Sequence, residues 1–171
     1  MIQDLNLRMD YQITLTTSGQ STNYIDTLAP ADAMPAGSLA MWKVLCYTTP
    51  VAGTGATLTI TLQTCANSLF DSNAVTLAAT SALVAPNIQA QTANIAPPDY
   101  VPSTQPGAVS TVLGPVLIWV AIPVGCQRYL RSGYVIGGTG NFASIGLTSE
   151  IILDGDKLLS NNFPIQGADI K

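Results

Sequence analysis

The stretch Thr57-Leu-Thr-Ile-Thr-Leu-Gln63 alternates polar and apolar side chains without a break. Successive side chains of a β-strand point to opposite faces of the sheet, so this period of two predicts a strand. Leu58, Ile60 and Leu62 are expected in the core, with the intervening polar side chains facing water or a neighbour. The run Tyr11–Thr17 shows the same alternation and predicts a second strand.

Five more segments have the composition of strands, and turn-forming residues separate them. They are Leu39–Tyr47, Val75–Leu77, Pro115–Ile122, Arg128–Ile136 and Phe142–Leu153. The first is apolar on both faces and predicts a central strand that is covered on each side. The glycines of Gly137-Gly-Thr-Gly140 separate the last two segments and predict a β-hairpin. About seven or eight strands with turns between them are typical of a β-sandwich or jelly roll.

The composition agrees with an all-β fold and excludes several functions. Only 9% of the 171 residues are charged, against about 25% in an average soluble domain. No histidine is present, which excludes Ser-His-Asp and Cys-His catalysis and nearly every catalytic zinc site that uses imidazole. Six basic residues cannot form the basic footprint of a nucleic-acid binder. We therefore expect a protein without enzymatic activity, cofactor or bound metal.

The chain is expected to form one jelly-roll domain over residues 1–156, with residues 86–113 inserted as an extended arm. The arm is rich in proline and has almost no charge, which favours packing on a partner over a solvated linker. Residues 157–171 form a C-terminal tail that is too apolar to remain in water. We expect this tail to pack on a partner as well.

No targeting or membrane-spanning segment is predicted. The residues after Met1 lack the basic start and apolar run of a signal peptide, and the most apolar stretch, Val116–Val124, is too short for a bilayer. Cys46, Cys65 and Cys126 are odd in number and widely spaced. That pattern is typical of buried free thiols in a reducing cytoplasm.

Three motifs suggest a chemical role, and each has a simpler structural explanation. Gly137–Gly140 is similar to a phosphate loop, but a strand follows it where a helix N-terminus is needed. Asp154-Gly-Asp156 with Glu150 upstream offers Ca²⁺ ligands or a glycosidase carboxylate pair, yet it lacks calcium-loop spacing, and Asp-Gly is a common turn. Trp42 and Trp119 are candidates for a sugar-binding platform, but their apolar strands favour core packing.

Arg128 and Arg131 are candidate interface residues. Three positions apart on one strand, they are expected on opposite faces, so they cannot form one anion clamp. At least one then lies at the rim or at a subunit contact, where arginine is enriched. The alternative is a surface salt bridge to one of the ten acidic residues. The other candidates for contact with a partner lie in the arm and the tail: Pro97, Pro98, Tyr100, Leu158, Leu159, Phe163 and Ile165.

An ordered set of motifs gives a more specific indication. The set is Asp10-Tyr-Gln-Ile-Thr14, Ser21-Thr-Asn-Tyr-Ile-Asp-Thr-Leu28, Ala56-Thr-Leu-Thr-Ile-Thr-Leu-Gln-Thr64, Pro123-Val-Gly-Cys-Gln-Arg-Tyr-Leu-Arg131 followed by Tyr134, and Ile151-Ile-Leu-Asp154. In this order the motifs resemble the Bbp16-type capsid cement (decoration) proteins of tailed bacteriophages, over residues 1–85 and 114–156.

The resemblance implies a jelly roll, made in the bacterial host cytoplasm, that binds the capsid exterior across contacts between major capsid protein subunits. It also implies self-association, as a homodimer or homotrimer, and no enzymatic activity. Neither nucleic acid nor a membrane is an expected direct partner. Because a contact with few ions is only weakly screened, we expect capsid binding to survive high salt.

Two other functions remain open. A β-sandwich that binds carbohydrate, or a receptor-binding module of a virion, needs an exposed row of aromatic side chains. A hydrolase that uses Glu150 and Asp154 predicts an activity that is lost on Glu150→Gln.

Overall fold

The computed structural model describes residues 7–28, 40–71, 73–90, 115–122 and 126–153. These residues form β-strands and the short 3-10 helix Ala85–Asn87, and they confirm the all-β prediction. The strands are β1 (Arg8–Leu15), β2 (Gly19–Gln20), β3 (Ile25–Asp26), β4 (Ala40–Ala52), β5 (Ala56–Cys65), β6 (Val75–Ala79), β7 (Leu83–Val84), β8 (Val116–Ala121), β9 (Tyr129–Gly138) and β10 (Phe142–Leu153).

The strands form two antiparallel sheets. Sheet 1 has the order β1-β10-β4-β8. In sheet 2, β9 and β5 are paired at the centre, the short strands β2 and β3 flank β9, and β6 and β7 flank β5. The chain passes from sheet 1 to sheet 2 and back several times, so most neighbours in sequence are not neighbours in a sheet. The result is a β-sandwich, in which β4 is a central strand as predicted.

The core lies between the sheets. Leu58, Ile60 and Leu62 are fully buried, which confirms the prediction from the alternating stretch. From the opposite sheet, Trp42 and Val44 of β4 face them and are also fully buried. The even-numbered positions of β5 thus face the core, and its odd-numbered threonines lie on the outer face of sheet 2.

A buried polar network ties the two sheets together. The indole Nε1 of Trp42 in sheet 1 donates to the hydroxyls of Ser132 at 3.2 Å and of Ser149 at 3.1 Å, and these two hydroxyls are 2.6 Å apart. Ser132 belongs to β9 of sheet 2, so the contacts cross the sandwich. Next to them, the Tyr134 hydroxyl donates to the Asp10 carboxylate at 2.6 Å. Such contacts fix how one sheet sits on the other, because a displaced sheet leaves buried polar groups unpaired.

The prediction of a hairpin at Gly137–Gly140 is wrong, since β9 and β10 belong to different sheets. The glycines instead allow the β9–β10 connection to approach the β4–β5 turn closely. Gly138 adopts φ +84°, and a Cβ on Gly140 would lie 2.5 Å from the backbone nitrogen of Ala56. The chain therefore crosses between the sheets here, packed directly on the turn that joins β4 to β5.

The segment predicted as an arm begins within the domain. Ile88 is buried in the core, next to the 3-10 helix, and residues 86–90 belong to the described domain. The rest of the predicted arm, residues 91–113, lies outside the described residues, and so does the tail 157–171. Cys46 and Cys65 are buried free thiols, and Cys126 is a half-buried one.

Candidate interaction surface

The outer face of sheet 2 carries a cluster of aromatic and arginine side chains where β3, β5 and β9 meet. Tyr24 packs edge-on against Tyr129, with ring centroids 5.4 Å apart, and lies 6.4 Å from the ring of Phe70. The Arg128 guanidinium is 5.0 Å from the Tyr129 ring centre, and that of Arg131 is 4.2 Å from the Phe70 ring centre. We refer to these five residues as the arginine–aromatic cluster.

Arg128 is held by an intramolecular ion pair. Its guanidinium donates to the two carboxylate oxygens of Asp26 at 2.8 and 2.7 Å, and this hydrogen-bonded pairing raises the pKa of Arg128. For Arg128 the structure thus shows the alternative given above, a surface salt bridge. It also corrects the expected opposite faces: β9 begins at Tyr129, so Arg128 precedes the strand, and alternation along the strand does not place it. Both arginines lie over rings of one cluster.

Arg131 lies on the outer face of β9, because its neighbours Leu130 and Ser132 point into the core. Its Nε donates to the Gln63 side-chain oxygen at 2.8 Å, across the β5–β9 pair. Partial burial lowers the pKa of Arg131 from its ordinary value, against a smaller opposing effect of Cys65. Phe70 and Gln63 remove water from this guanidinium without supplying an opposite charge.

The loop between β5 and β6 presents an apolar side chain beside the cluster. Leu69 is 83% exposed, the most exposed large apolar side chain in the described residues. Its backbone N–H donates to the Asn67 side chain at 3.1 Å, and Asn67 in turn donates to Asp71 at 2.9 Å. Hydrogen bonds from Asn67 and from the Asn73 backbone lower the pKa of Asp71. Phe70 has φ +47°, a conformation that a bulky residue adopts only where its surroundings impose it.

Beyond the cluster, the described residues on the outer face of sheet 2 are uncharged. The threonines of β5 at positions 57, 59 and 61 line it, beside Val135 of β9 and Val84 of β7. Val135 and Val84 are exposed. At Gly133 a Cβ would meet the Thr61 hydroxyl at 2.6 Å, so glycine leaves room there for the Thr61 side chain of the neighbouring strand.

The outer face of sheet 1 has a different character. Register places Arg8, Glu150, Lys43 and Trp119 in one row across the four strands. Glu150 is buried, and its carboxylate oxygens lie 3.6 Å from Arg8 Nε and 3.8 Å from Lys43 Nζ. Desolvation lowers the pKa of Lys43 although Glu150 acts to raise it. Glu150 thus serves charge balance within the domain and is not an exposed carboxylate.

The two tryptophans have different environments. Trp42 is fully buried, as predicted, but Trp119 faces outward from β8 beneath Lys43, whose Nζ is 5.6 Å from the ring centre. The prediction of core packing is therefore wrong for Trp119. Because β8 is apolar on both faces, its composition did not distinguish the inner face from the outer one.

The other candidate site residues from the sequence lie outside the described residues. These are Pro97, Pro98, Tyr100, Leu158, Leu159, Phe163 and Ile165, together with Asp154 and Asp156. Tyr24, Leu69 and Phe70 were not predicted as site residues. For Leu69 a usable signal existed, since an apolar residue between the turn formers Asn67 and Asp71 is expected at a loop tip.

Comparison with family models and with curated protein sequences gives no match for this chain. In the part of the chain that the structure describes, no three His, Cys, Asp or Glu side chains are grouped in a way that could hold a metal ion. The same residues include no helix with the length and apolarity needed to cross a membrane.

Proposed function

We propose that this protein is a capsid decoration protein of a tailed bacteriophage. It binds the outer surface of the capsid, contacts neighbouring major capsid protein subunits, and holds them together against the internal pressure of the packaged DNA. The proposal includes a jelly-roll topology, location on the virion exterior and self-association. It assigns no catalytic step and no cofactor.

The strand order supports the jelly-roll part of the proposal. Two antiparallel sheets face each other, each four strands wide when the collinear short strands β2/β3 and β6/β7 are counted as one. Most connections between consecutive strands cross from one sheet to the other. A jelly roll has this arrangement, with eight strand positions in two Greek keys.

One observation carries the function. Two of the motifs that resemble cement proteins, Ser21–Leu28 and Pro123–Arg131, are far apart in sequence, yet Asp26 and Arg128 join them in space. They meet at the arginine–aromatic cluster, beside exposed Leu28 and Leu69. Arginine, aromatic and exposed apolar side chains are the composition of protein–protein contact sites. Two of the motifs that carry the resemblance thus meet at a surface whose composition suits protein binding.

Outside the arginine–aromatic cluster, the uncharged outer face of sheet 2 suits a cementing role. A standard protein interface buries about 1,600 Å², and many copies on one shell act together, so a modest affinity per copy stabilises the whole particle. A contact made mainly by threonine, valine and leucine loses little attraction when ions are added, and salt screens a partly buried ion pair much less than an exposed one.

The test is co-sedimentation of the purified protein with heads stripped of decoration from a phage that encodes it. We expect saturable pelleting at a fixed ratio to the major capsid protein, at low salt and at about 1 M salt, where the Debye length is about 3 Å. Leu69→Ser should weaken binding about tenfold or more without changing the thermal stability of the free protein, because Leu69 has few contacts within the domain. A folded protein that does not pellet contradicts the proposal.

Carbohydrate or receptor binding is the weaker candidate. It needs a row of exposed aromatic side chains, and the two most exposed tyrosines, Tyr11 and Tyr24, lie on β1 of sheet 1 and beside β3 of sheet 2. Among the described residues the exposed aromatic side chains therefore do not form one platform.

A further inference from the structure

Arg131 differs from the other basic side chains of the described residues in its charge environment. The other three lie within 4 Å of a carboxylate: Arg8 and Lys43 at Glu150, and Arg128 at Asp26. No described carboxylate lies at ion-pair distance from Arg131, and its one side-chain hydrogen bond within that part of the chain goes to the neutral amide of Gln63.

The described acidic side chains are already engaged. Asp10 accepts from Tyr134 and from the Thr22 backbone, Asp26 binds Arg128, Asp71 is held within its loop, and Glu150 lies between two cations. None of them is available to Arg131 without giving up a contact. A carboxylate that neutralises Arg131 must therefore come from outside the described residues, and we take a partner protein as its source.

The terminal Nη groups of the Arg131 guanidinium remain available to bind a partner. Nε is occupied by Gln63 and one side of the guanidinium faces the Phe70 ring, which fixes the plane of the fork. Neither Nη group donates to any described residue. A planar fork with free terminal N–H groups matches a carboxylate, and a partly desolvated cation on an aromatic ring gains more from that contact than one in water.

The surroundings are apolar and held in position. Leu69 lies on a loop that is held by hydrogen bonds of Asn67 and Asp71, and the half-exposed Tyr24 has its ring centroid 6.4 Å from that of Phe70. Side chains that are fixed before binding lose little freedom when a partner docks. An arginine that stacks on an aromatic ring, with exposed apolar side chains on the neighbouring loop and strand, has the composition of an interface hot spot.

We propose that the Arg131 guanidinium receives an aspartate or glutamate side chain of the major capsid protein, with Leu69 and Tyr24 packing around that contact. This inference rests on the proposed capsid binding and adds the chemistry of the contact. The partner surface is expected to present a carboxylate beside apolar side chains that cover Leu69.

The first test compares the affinity of variants for stripped heads. We expect Arg131→Gln to weaken binding at least tenfold, and Arg131→Lys to weaken it too, because lysine keeps the charge but lacks the fork. Thr14→Glu is the charge-matched control: it also adds one negative unit, but at an exposed position on β1 of sheet 1. It should change the affinity less than threefold. Thermal unfolding of each free variant confirms that it is folded.

The second test removes the carboxylates of the partner. Stripped heads are treated with a carbodiimide and an uncharged amine, which converts exposed carboxylates to amides, and head integrity is verified by electron microscopy. Wild-type affinity should fall to the level of Arg131→Gln, and the affinity of Arg131→Gln should change little. This non-additivity links Arg131 to a carboxylate on the head.

The outcomes separate the two proposals. If wild type does not pellet with heads, the proposed function and this inference both fail. If wild type pellets and Arg131→Gln binds equally well, the inference fails alone. Arg131→Gln can instead change the sedimentation coefficient of the free protein and leave head binding intact. The carboxylate that binds Arg131 then belongs to a second copy of this chain, and the inference is again overturned.

Discussion

Arg128 and Asp26 form a two-point ion pair between positions 102 residues apart: Nε donates to Oδ1 at 2.8 Å and Nη2 to Oδ2 at 2.7 Å. The pair fixes the two-residue strand β3 to the beginning of β9. Tyr24 and Leu28 lie just before and just after β3, and both are exposed. The ion pair therefore holds two apolar side chains in position at the proposed contact surface.

Loss of this pair should loosen β3 and leave the core intact. In Asp26→Ala we expect the amides of Thr27 and Leu28 to exchange about tenfold faster or more, since local opening becomes easier there. The Leu28 amide also loses its own acceptor, which is Asp26 Oδ1. Hydrogen exchange with site resolution measures this. The Ile60 amide serves as the internal reference, and a uniform change across the domain would contradict the local role.

The buried contact between Tyr134 and Asp10 should contribute to global stability. Tyr134→Phe leaves a buried carboxylate without one of its donors, and we expect the free energy of unfolding to fall by about 1.5–3 kcal/mol. Urea unfolding measures the difference. Tyr11→Phe is the matched control because Tyr11 is 58% exposed, and it should change stability by less than about 0.5 kcal/mol.

The same tyrosine predicts a loss of stability at alkaline pH. Burial and the Asp10 carboxylate raise the pKa of Tyr134, so the folded protein keeps a proton that the unfolded chain releases near pH 10. This contribution is complete below about pH 10 and is lost progressively as the pH rises above it. There the unfolding free energy of wild type should fall more steeply than that of Tyr134→Phe, by up to about 1.4 kcal/mol per pH unit. Equal slopes would refute this assignment.

The thiols of Cys46 and Cys126 should differ in reactivity. Burial raises the pKa of Cys46 to about 12, so almost no thiolate is present near pH 8 and the sulfur is shielded from reagents. Cys126 is half-buried, and burial raises the pKa of its thiol as well. Alkylation followed by peptide mass spectrometry should label Cys126 first and Cys46 only after denaturant is added. Early labelling of Cys46 in the folded protein would show that its strand opens readily.

The sequence predicts the long strands well because their signal is local. The alternation of Thr57–Gln63 predicts β5 and the burial of its three apolar residues, as the structure has them. The two-residue strands β2, β3 and β7 are too short to show any period. At Gly137–Gly140 the same glycines fit a hairpin and a crossing between sheets, and only the packing against the turn at Ala56 distinguishes them.

The candidate surface depends on contacts that local patterns do not contain. Arg128 and Arg131 were identified from their residue type, but their partners Asp26, Gln63 and Phe70 come from three other segments. Those segments meet because β9 pairs with β3 on one side and with β5 on the other. Sheet register, a long-range property, therefore assembles the cluster.

The most direct test of the account is a hydrogen-exchange footprint of the protein on stripped heads, compared with the free protein. We expect new protection at residues 24–28, 66–71 and 128–131, which form or adjoin the arginine–aromatic cluster, with little change in β1 on sheet 1. Protection of β1 with none at the cluster would contradict the account, because the capsid would then contact the opposite side of the sandwich.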